Sequence, residues 1–176
     1  QVPASTLTKL TACLTMLNST RGDDSAGVAI ANQGQSAPIL LKAVGTPRDF
    51  LKKHLGDIEA LCDDKAVWLM GHTRSKTVGD VTVNNAHPFK MGTLIGAHNG
   101  NISNYANLKI DTRRYTLPGC DSAAFFAYAD QRGLKTAIQD SFGSIVVTVS
   151  QPPYSKIRIY KDSVFGLHIA YVSAWQ

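Results

Sequence analysis

A chain of 176 residues with 44% hydrophobic content has the length and composition of one globular domain with a sizeable core. Its net charge of +5 comes from scattered basic residues with only short pairs such as Lys52-Lys53 and Arg113-Arg114, which describes a solvated surface and argues against a nucleic-acid or membrane partner. Three cysteines, Cys13, Cys62 and Cys120, cannot all pair and show no CxxC spacing, so neither a disulfide framework nor a metal site is indicated, and a reducing, cytoplasmic setting is expected. No apolar run approaches the roughly 20 residues that span a bilayer, and the N-terminus shows no export signal.

In chain order, Gln1 to Ser19 places Leu7, Leu10, Leu14 and Leu17 at helical spacing, with Ser5 or Thr6 available as an N-cap, and predicts an amphipathic helix. After the polar turn Arg21-Gly22-Asp23-Asp24-Ser25, a strand around Val28 and Ile30 is closed by Gly34 and pairs as a hairpin with Ala37 to Val44. Thr46-Pro47 reads as an N-cap followed by proline at the first helical position, opening a short helix through Phe50, Leu51 and Leu55.

An apolar strand from Ala66 to Met70 then leads into a loop holding Arg74. A second, Thr93 to Ala97, is expected to end abruptly at His98, Asn99 and Gly100, which would bring polar groups out at a strand tip. Helical spacing continues through Ile102, Tyr105 and Leu108. Asp121 stands where an N-cap would open a helix over Ser122 to Gln131, and Leu134 to Ser141 predicts another. Three β-rich segments close the chain: Ser144 to Ser150, Lys156 to Tyr160 and Val164 to Val172, the first turn being Pro152-Pro153. Strands at both ends with helices between them predict α+β layers built on mainly antiparallel sheets.

The candidate chemistry lies between Gly71 and Tyr105. The Asn99 amide and the Gly100 backbone N–H, the latter with no Cβ to obstruct a ligand, can together cradle a developing oxyanion. Arg74 carries a planar fork suited to gripping a carboxylate, so a carboxylate-bearing amide or ester is the expected substrate class. Taken singly, Asn99-Gly100 is more often a turn signal, Arg74 a surface charge and Asp121 a helix cap.

As an ordered set, RGDDSAG, GHTRSKTVGD, NNAHPF, GAHNGNISNY and GCDSAAF resemble the glutaminase domain of class II glutamine amidotransferases, over Leu7 to about Val172. The resemblance implies the N-terminal-nucleophile (Ntn) hydrolase fold, a four-layer αββα sandwich, as one domain over 1–176. It also implies hydrolysis of the glutamine side-chain amide with release of ammonia, and no cofactor.

By the same resemblance, Arg74 would hold the α-carboxylate of glutamine, Thr77 and His87 would line that end, and Asp121 would take the α-ammonium. Asn99 and Gly100 would form the oxyanion hole, and Arg21 would order the nucleophile. Loop support is an equal reading for Thr77 and His87, while His72 and His98 read as scaffold. Where the family commonly has an aromatic residue and a histidine around the arginine block, this chain has Ser75 and Val78.

The family's nucleophile is an N-terminal cysteine whose α-amino group acts as the base. This chain begins with Gln1, so the cysteine and its strand are expected a few residues upstream. The alternative is a non-catalytic glutamine- or partner-binding module of the same fold. Among the cysteines present, Cys120 stands nearest the expected site because it precedes Asp121, Cys13 reads as a small hydrophobe in the first helix, and the acidic run after Cys62 would raise its thiol pKa. A separate synthase or acceptor partner is expected to use the ammonia, and a homo-oligomer is allowed.

Overall fold

The computed structural model describes residues 3–62 and 65–170. Two antiparallel sheets form its centre. In the first, β1 (Ser25–Asn32) lies between β2 (Ile39–Val44) and β3 (Ala66–Arg74). In the second, β4 (Phe89–Met91), β5 (Leu94–Ile102), β6 (Gly143–Ser150) and β7 (Arg158–Lys161) follow one another across the sheet.

The layering follows from the alternation of side chains along each strand. In β1, Ala26, Val28 and Ile30 point to one face and pack with Phe50, Leu51 and Ile58 of α2 (Pro47–Leu61), with Leu7 of α1 (Ala4–Leu17) beside them. Ala29 and Ala31 point the other way and meet Ile95 and Ala97 of β5. The outer face of the second sheet is covered by α3 (Asp121–Arg132) and α4 (Leu134–Asp140), through Phe125, Phe126 and Ala137 against Leu94, Val147 and Val149. Two polar ties cross the middle: the Trp68 indole donates to the Tyr154 carbonyl at 2.8 Å, and the Tyr154 hydroxyl donates to the Thr93 carbonyl at 2.8 Å. The result is the expected four-layer αββα sandwich. No helix among the described residues is long and apolar enough to cross a membrane.

Several expected elements change in detail. α1 starts after Pro3 and has no side-chain cap, so neither Ser5 nor Thr6 plays that part. It does not bury a leucine stripe either. Thr8, Thr11 and Thr15 are its buried residues, with Thr8 and Thr11 donating to carbonyls one turn back, while Leu14 and Leu17 are exposed. β3 continues through Arg74, which pairs with Ser25, so the arginine ends a strand instead of sitting in a loop. β5 does not stop at Ala97. It runs on to Ile102 because β6 pairs with it as far as Ile102↔Gly143.

The segment after Asn101 forms a single 3₁₀ turn, Tyr105–Asn107, in place of two helical turns. Asp121 is the first residue of α3 and not its cap; Cys120 takes the cap position without a side-chain bond. Lys156 to Tyr160 reduces to Arg158–Lys161, and residues 164–170 form no strand, the remainder of the expected Val164 to Val172 strand lying outside the described residues. Thr46 does cap α2 as expected, but the helix runs further than its first turns, to Leu61.

Candidate functional site

A cavity of about 570 Å³ opens where the ends of β3 and β5 meet the first turn of α3, with α1 forming one wall. Its lining includes Arg21, Arg74, Thr77, His87, Asn99, Gly100 and Asp121, so all seven residues singled out in the sequence converge there. Their neighbours in the lining are His72, His98, Asn18, Ser122 and the α1 residues Leu7, Leu10, Thr11, Leu14 and Thr15.

The convergence has local causes. Asp24 donates its N–H to the Arg74 carbonyl at 3.0 Å and accepts the Lys76 N–H at 2.6 Å, which staples the turn after α1 to the end of β3. Gly22 permits this approach: a Cβ there would stand 2.4 Å from the Arg74 carbonyl carbon, closer than any real contact. Asn85 is buried and donates to the Asp80 carbonyl at 2.8 Å and the Pro118 carbonyl at 3.0 Å, tying the loop after β3 to the loop before α3.

Arg74 is only 5% exposed. Its guanidinium donates to the carbonyls of Val78 at 2.6 Å and Asp80 at 3.3 Å, and neither ion pair found among the described residues involves it. Carbonyls orient a cation without neutralising it, so the cavity retains a fixed positive charge at this end. Asp121, 4% exposed, accepts the Ile102 N–H at 2.9 Å and the Ser122 hydroxyl at 3.4 Å. It places negative charge on the same cavity. Asn99 and Gly100 are consecutive in β5, opposite Val146 and Ile145 of β6, and they line the cavity from within a strand, not from its tip.

Three histidines stand behind these groups. His72 and His87 pack with ring centroids 4.1 Å apart and ring planes tilted by 31°, and neither ring nitrogen of buried His87 has a hydrogen-bond partner. Burial pushes the His72 pKa down to about 4 and lowers that of His87 as well, with His98 adding to the effect at His72 and His72 adding to it at His87. His98 shares a 2.8 Å hydrogen bond between Nδ1 and the Ser122 hydroxyl, and Nε2 lies 3.4 Å from the Ser144 carbonyl. Burial lowers its pKa too, and Asp121 opposes that.

None of the cysteines lines the cavity. Cys13 is exposed, and Cys62 and Cys120 are buried. Burial pushes the Cys120 thiol up, away from the thiolate form that a nucleophile needs.

No protein-family model matches the chain. Glutamine–fructose-6-phosphate aminotransferase (isomerizing) of Aquifex aeolicus is 33% identical over 147 residues, covering 75% of this chain and 24% of that protein. The enzyme of the same name from Acinetobacter baylyi is 41% identical over 93 residues, covering 52% of this chain and 14% of its own length. Among solved structures, the allosteric regulatory enzyme of purine biosynthesis superposes over 88% of this chain and 35% of its own, with a TM-score of 0.68 at 19% identity. Glutamine phosphoribosylpyrophosphate amidotransferase from B. subtilis does so over 82% and 32%, with a TM-score of 0.60 at 17% identity. At these identities the structural likeness establishes the Ntn-hydrolase fold, and the aminotransferases supply the kinship.

The chain belongs to the class II glutamine amidotransferase family. It spans 14% to 24% of the length of the two curated relatives.

In this amidotransferase-family chain, two groups that line the cavity were not legible as site residues in the sequence. His98 and His72 read as scaffold because no base partner could be named for them, and a partner such as Ser122 becomes visible only when α3 packs on β5. The α1 wall was missed for a different reason. Thr8, Thr11 and Thr15 recur at the same helical spacing as the leucines, so the competing stripe was present in the sequence, but hydrophobicity alone favours the leucines.

Proposed function

We propose that this domain hydrolyses the side-chain amide of glutamine to glutamate and ammonia, and that the ammonia passes to an acceptor bound by a synthase domain or partner. The reading rests on one observation: a buried cation, Arg74, and a buried carboxylate, Asp121, line a single cavity together with Asn99 and Gly100. A free amino acid is a zwitterion. Two opposite fixed charges orient it so that its side-chain amide has one place to go. Arg74 takes the α-carboxylate, Asp121 the α-ammonium, and Thr77 and His87 wall that end. Asn99 and Gly100 supply the oxyanion donors, and Arg21 at the rim orders the nucleophile.

In the reaction, a thiolate attacks the amide carbonyl, forming a C–S bond and an oxyanion. Collapse breaks the C–N bond, ammonia leaves with a proton carried by the nucleophile's own α-amino group, and water cleaves the thioester to glutamate. Cys13, Cys62 and Cys120 all lie off the cavity lining, and in this reading the thiolate is that of the N-terminal cysteine which the family resemblance leads us to expect upstream of Gln1.

The geometry supports a strand in that place. β3 is an edge strand, and Leu7, Leu10 and Leu14 of α1 face the cavity beside it. The Thr73 hydroxyl donates to the carbonyl of Asn18, just after α1, so α1 runs toward the Arg74 end and Ala4 stands at the far end. A strand entering α1 would therefore run antiparallel to β3 from the cavity outward. Roughly six residues would match the helix in length, at about 3.3 Å per strand residue against 1.5 Å per helical residue.

The test is the N-terminal sequence and intact mass of the natural full-length protein, with an ammonia-release assay on glutamine. A leading cysteine with ammonia release is the expected result. Glutamine binding with no leading cysteine and no release would instead establish the non-catalytic binding module.

A further inference from the structure

A second cavity, of about 370 Å³, lies away from the glutamine site between β2, β4 and the segment around Tyr115. Part of its wall is apolar, made by Leu40, Phe89 and Met91. Three cationic side chains from three separate segments also line it: Lys42 of β2, Lys90 of β4 and Arg114. No Asp or Glu is among its described lining residues. Asp130, whose carboxylate lies against Gly92 of the lining, already accepts the Tyr115 hydroxyl at 2.5 Å and both the N–H and hydroxyl of Thr93.

Lys42 is the telling group. It is half-buried, its ammonium makes one long hydrogen bond of 3.4 Å to the Pro88 carbonyl, and it lies 5.2 Å from the centre of the Phe89 ring. Neither ion pair among the described residues includes it. Burial lowers its pKa to about 8, opposed only by the Cys120 thiol. A desolvated ammonium with donors left over and no acidic partner is a recognition element for an incoming anion.

We infer that this cavity binds a small organic phosphate monoester, whose phosphoryl oxygens are held by Lys42, Lys90 and Arg114 and whose apolar body rests on Leu40, Phe89 and Met91. Arg114 contributes a planar fork that can engage two phosphoryl oxygens at once, and the lysines act as point charges. The apolar wall favours an organic body over free phosphate. The concavity also differs from a nucleic-acid surface, which would spread its cations along a stripe. The inference is independent of the glutaminase reading, since none of these residues touches the first cavity.

The experiment uses the chain as it stands, titrated with phenyl phosphate, inorganic phosphate and phenol by calorimetry and by NMR shift mapping. Phenyl phosphate should bind saturably and shift the resonances of residues 40–42, 89–91 and 114–116. Inorganic phosphate should bind at least about tenfold more weakly, and phenol should not saturate. Lys42→Met and Arg114→Ala should each weaken phenyl phosphate about tenfold or more while the melting temperature is held, since Lys42→Met removes a desolvated charge from the fold. Bound phenyl phosphate should also slow acetylation of Lys42 by acetic anhydride, read by peptide mass spectrometry. Absence of saturable binding, equal affinity for inorganic phosphate, or affinity unchanged in both variants would overturn the inference.

Discussion

Arg74 and Asn99 occupy the same cavity yet are built to act at different moments of a reaction. The Arg74 charge is present before and after bond breaking, and its partners Val78 and Asp80 hold it in place throughout. Removing it in Arg74→Ala should raise KM for glutamine strongly. Asn99 offers a neutral amide whose value rises only when the carbonyl oxygen becomes an oxyanion. Asn99→Ala should therefore leave KM close to that of the parent and lower kcat by about a hundredfold or more, corresponding to roughly 3 kcal/mol. Steady-state kinetics on the full-length enzyme separates the two, and equal losses in both parameters for both variants would contradict the division. Beside Asn99, Gly100 has φ of +141°, and a Cβ would fall 1.9 Å from the Ser144 carbonyl oxygen. Since that oxygen belongs to the paired strand β6, Gly100→Ala must part β5 from β6 or fail to fold. Urea denaturation should show a loss of about 2 kcal/mol or more, whether or not the variant binds glutamine.

Among the elements, α2 owes its start to a local device. The Thr46 hydroxyl accepts the Asp49 N–H at 3.2 Å, and the Asp49 carboxylate accepts the Thr46 N–H at 3.3 Å, a reciprocal capping box followed by Pro47. Thr46→Ala should lower stability by about 1 kcal/mol in a denaturant titration, with no change in glutamine binding, because α2 does not line the cavity. α1 is the opposite case. It has no side-chain cap bond, and its orientation comes from tertiary packing, which buries Thr8, Thr11 and Thr15, leaves Leu14 and Leu17 exposed, and sets Thr11 and Thr15 on the cavity wall together with Leu7, Leu10 and Leu14. The leucine periodicity identified the helix correctly and its buried face wrongly. An apolar stripe marks whichever surface meets other apolar groups, and here part of that surface borders the site instead of the core.

For the molecule as a whole, the site is a source of acid sensitivity. His87 is buried with both ring nitrogens unpartnered, and burial lowers its pKa; His72 beside it is lowered to about 4. The unfolded chain binds protons at these groups near pH 6.5, whereas the folded chain resists doing so. Their contribution to stability is therefore complete above that pH and is lost as pH falls below it, for His72 between about 6.5 and about 4. Each group should steepen the fall by about 1.4 kcal/mol per pH unit within its window. Denaturant titrations from pH 7 to pH 4.5 should show the decline, and His87→Leu should flatten it. An unchanged slope in that variant would remove His87 as a source and leave the decline to His72 and the carboxylates.

What could be determined without the tertiary structure was whatever neighbouring residues decide among themselves: the Thr46-Pro47 helix start, the β1–β2 hairpin, the apolar strands, and the ordered blocks that carry the family resemblance. Asn99, Gly100 and Arg74 could be singled out by their own chemistry, and the resemblance carried by those blocks added Arg21, Thr77, His87 and Asp121; all seven are among the residues that line the cavity. The packed chain decided the rest. β5 passes through Asn99 and Gly100 because β6, far along the sequence, supplies the partners that a local reading cannot supply. Asp121 points its carboxylate at Ile102, and His98 finds Ser122, only once α3 lies across β5. Hydrogen bonds and burial between distant segments depend on which surfaces meet, and a spacing rule contains no information about the meeting.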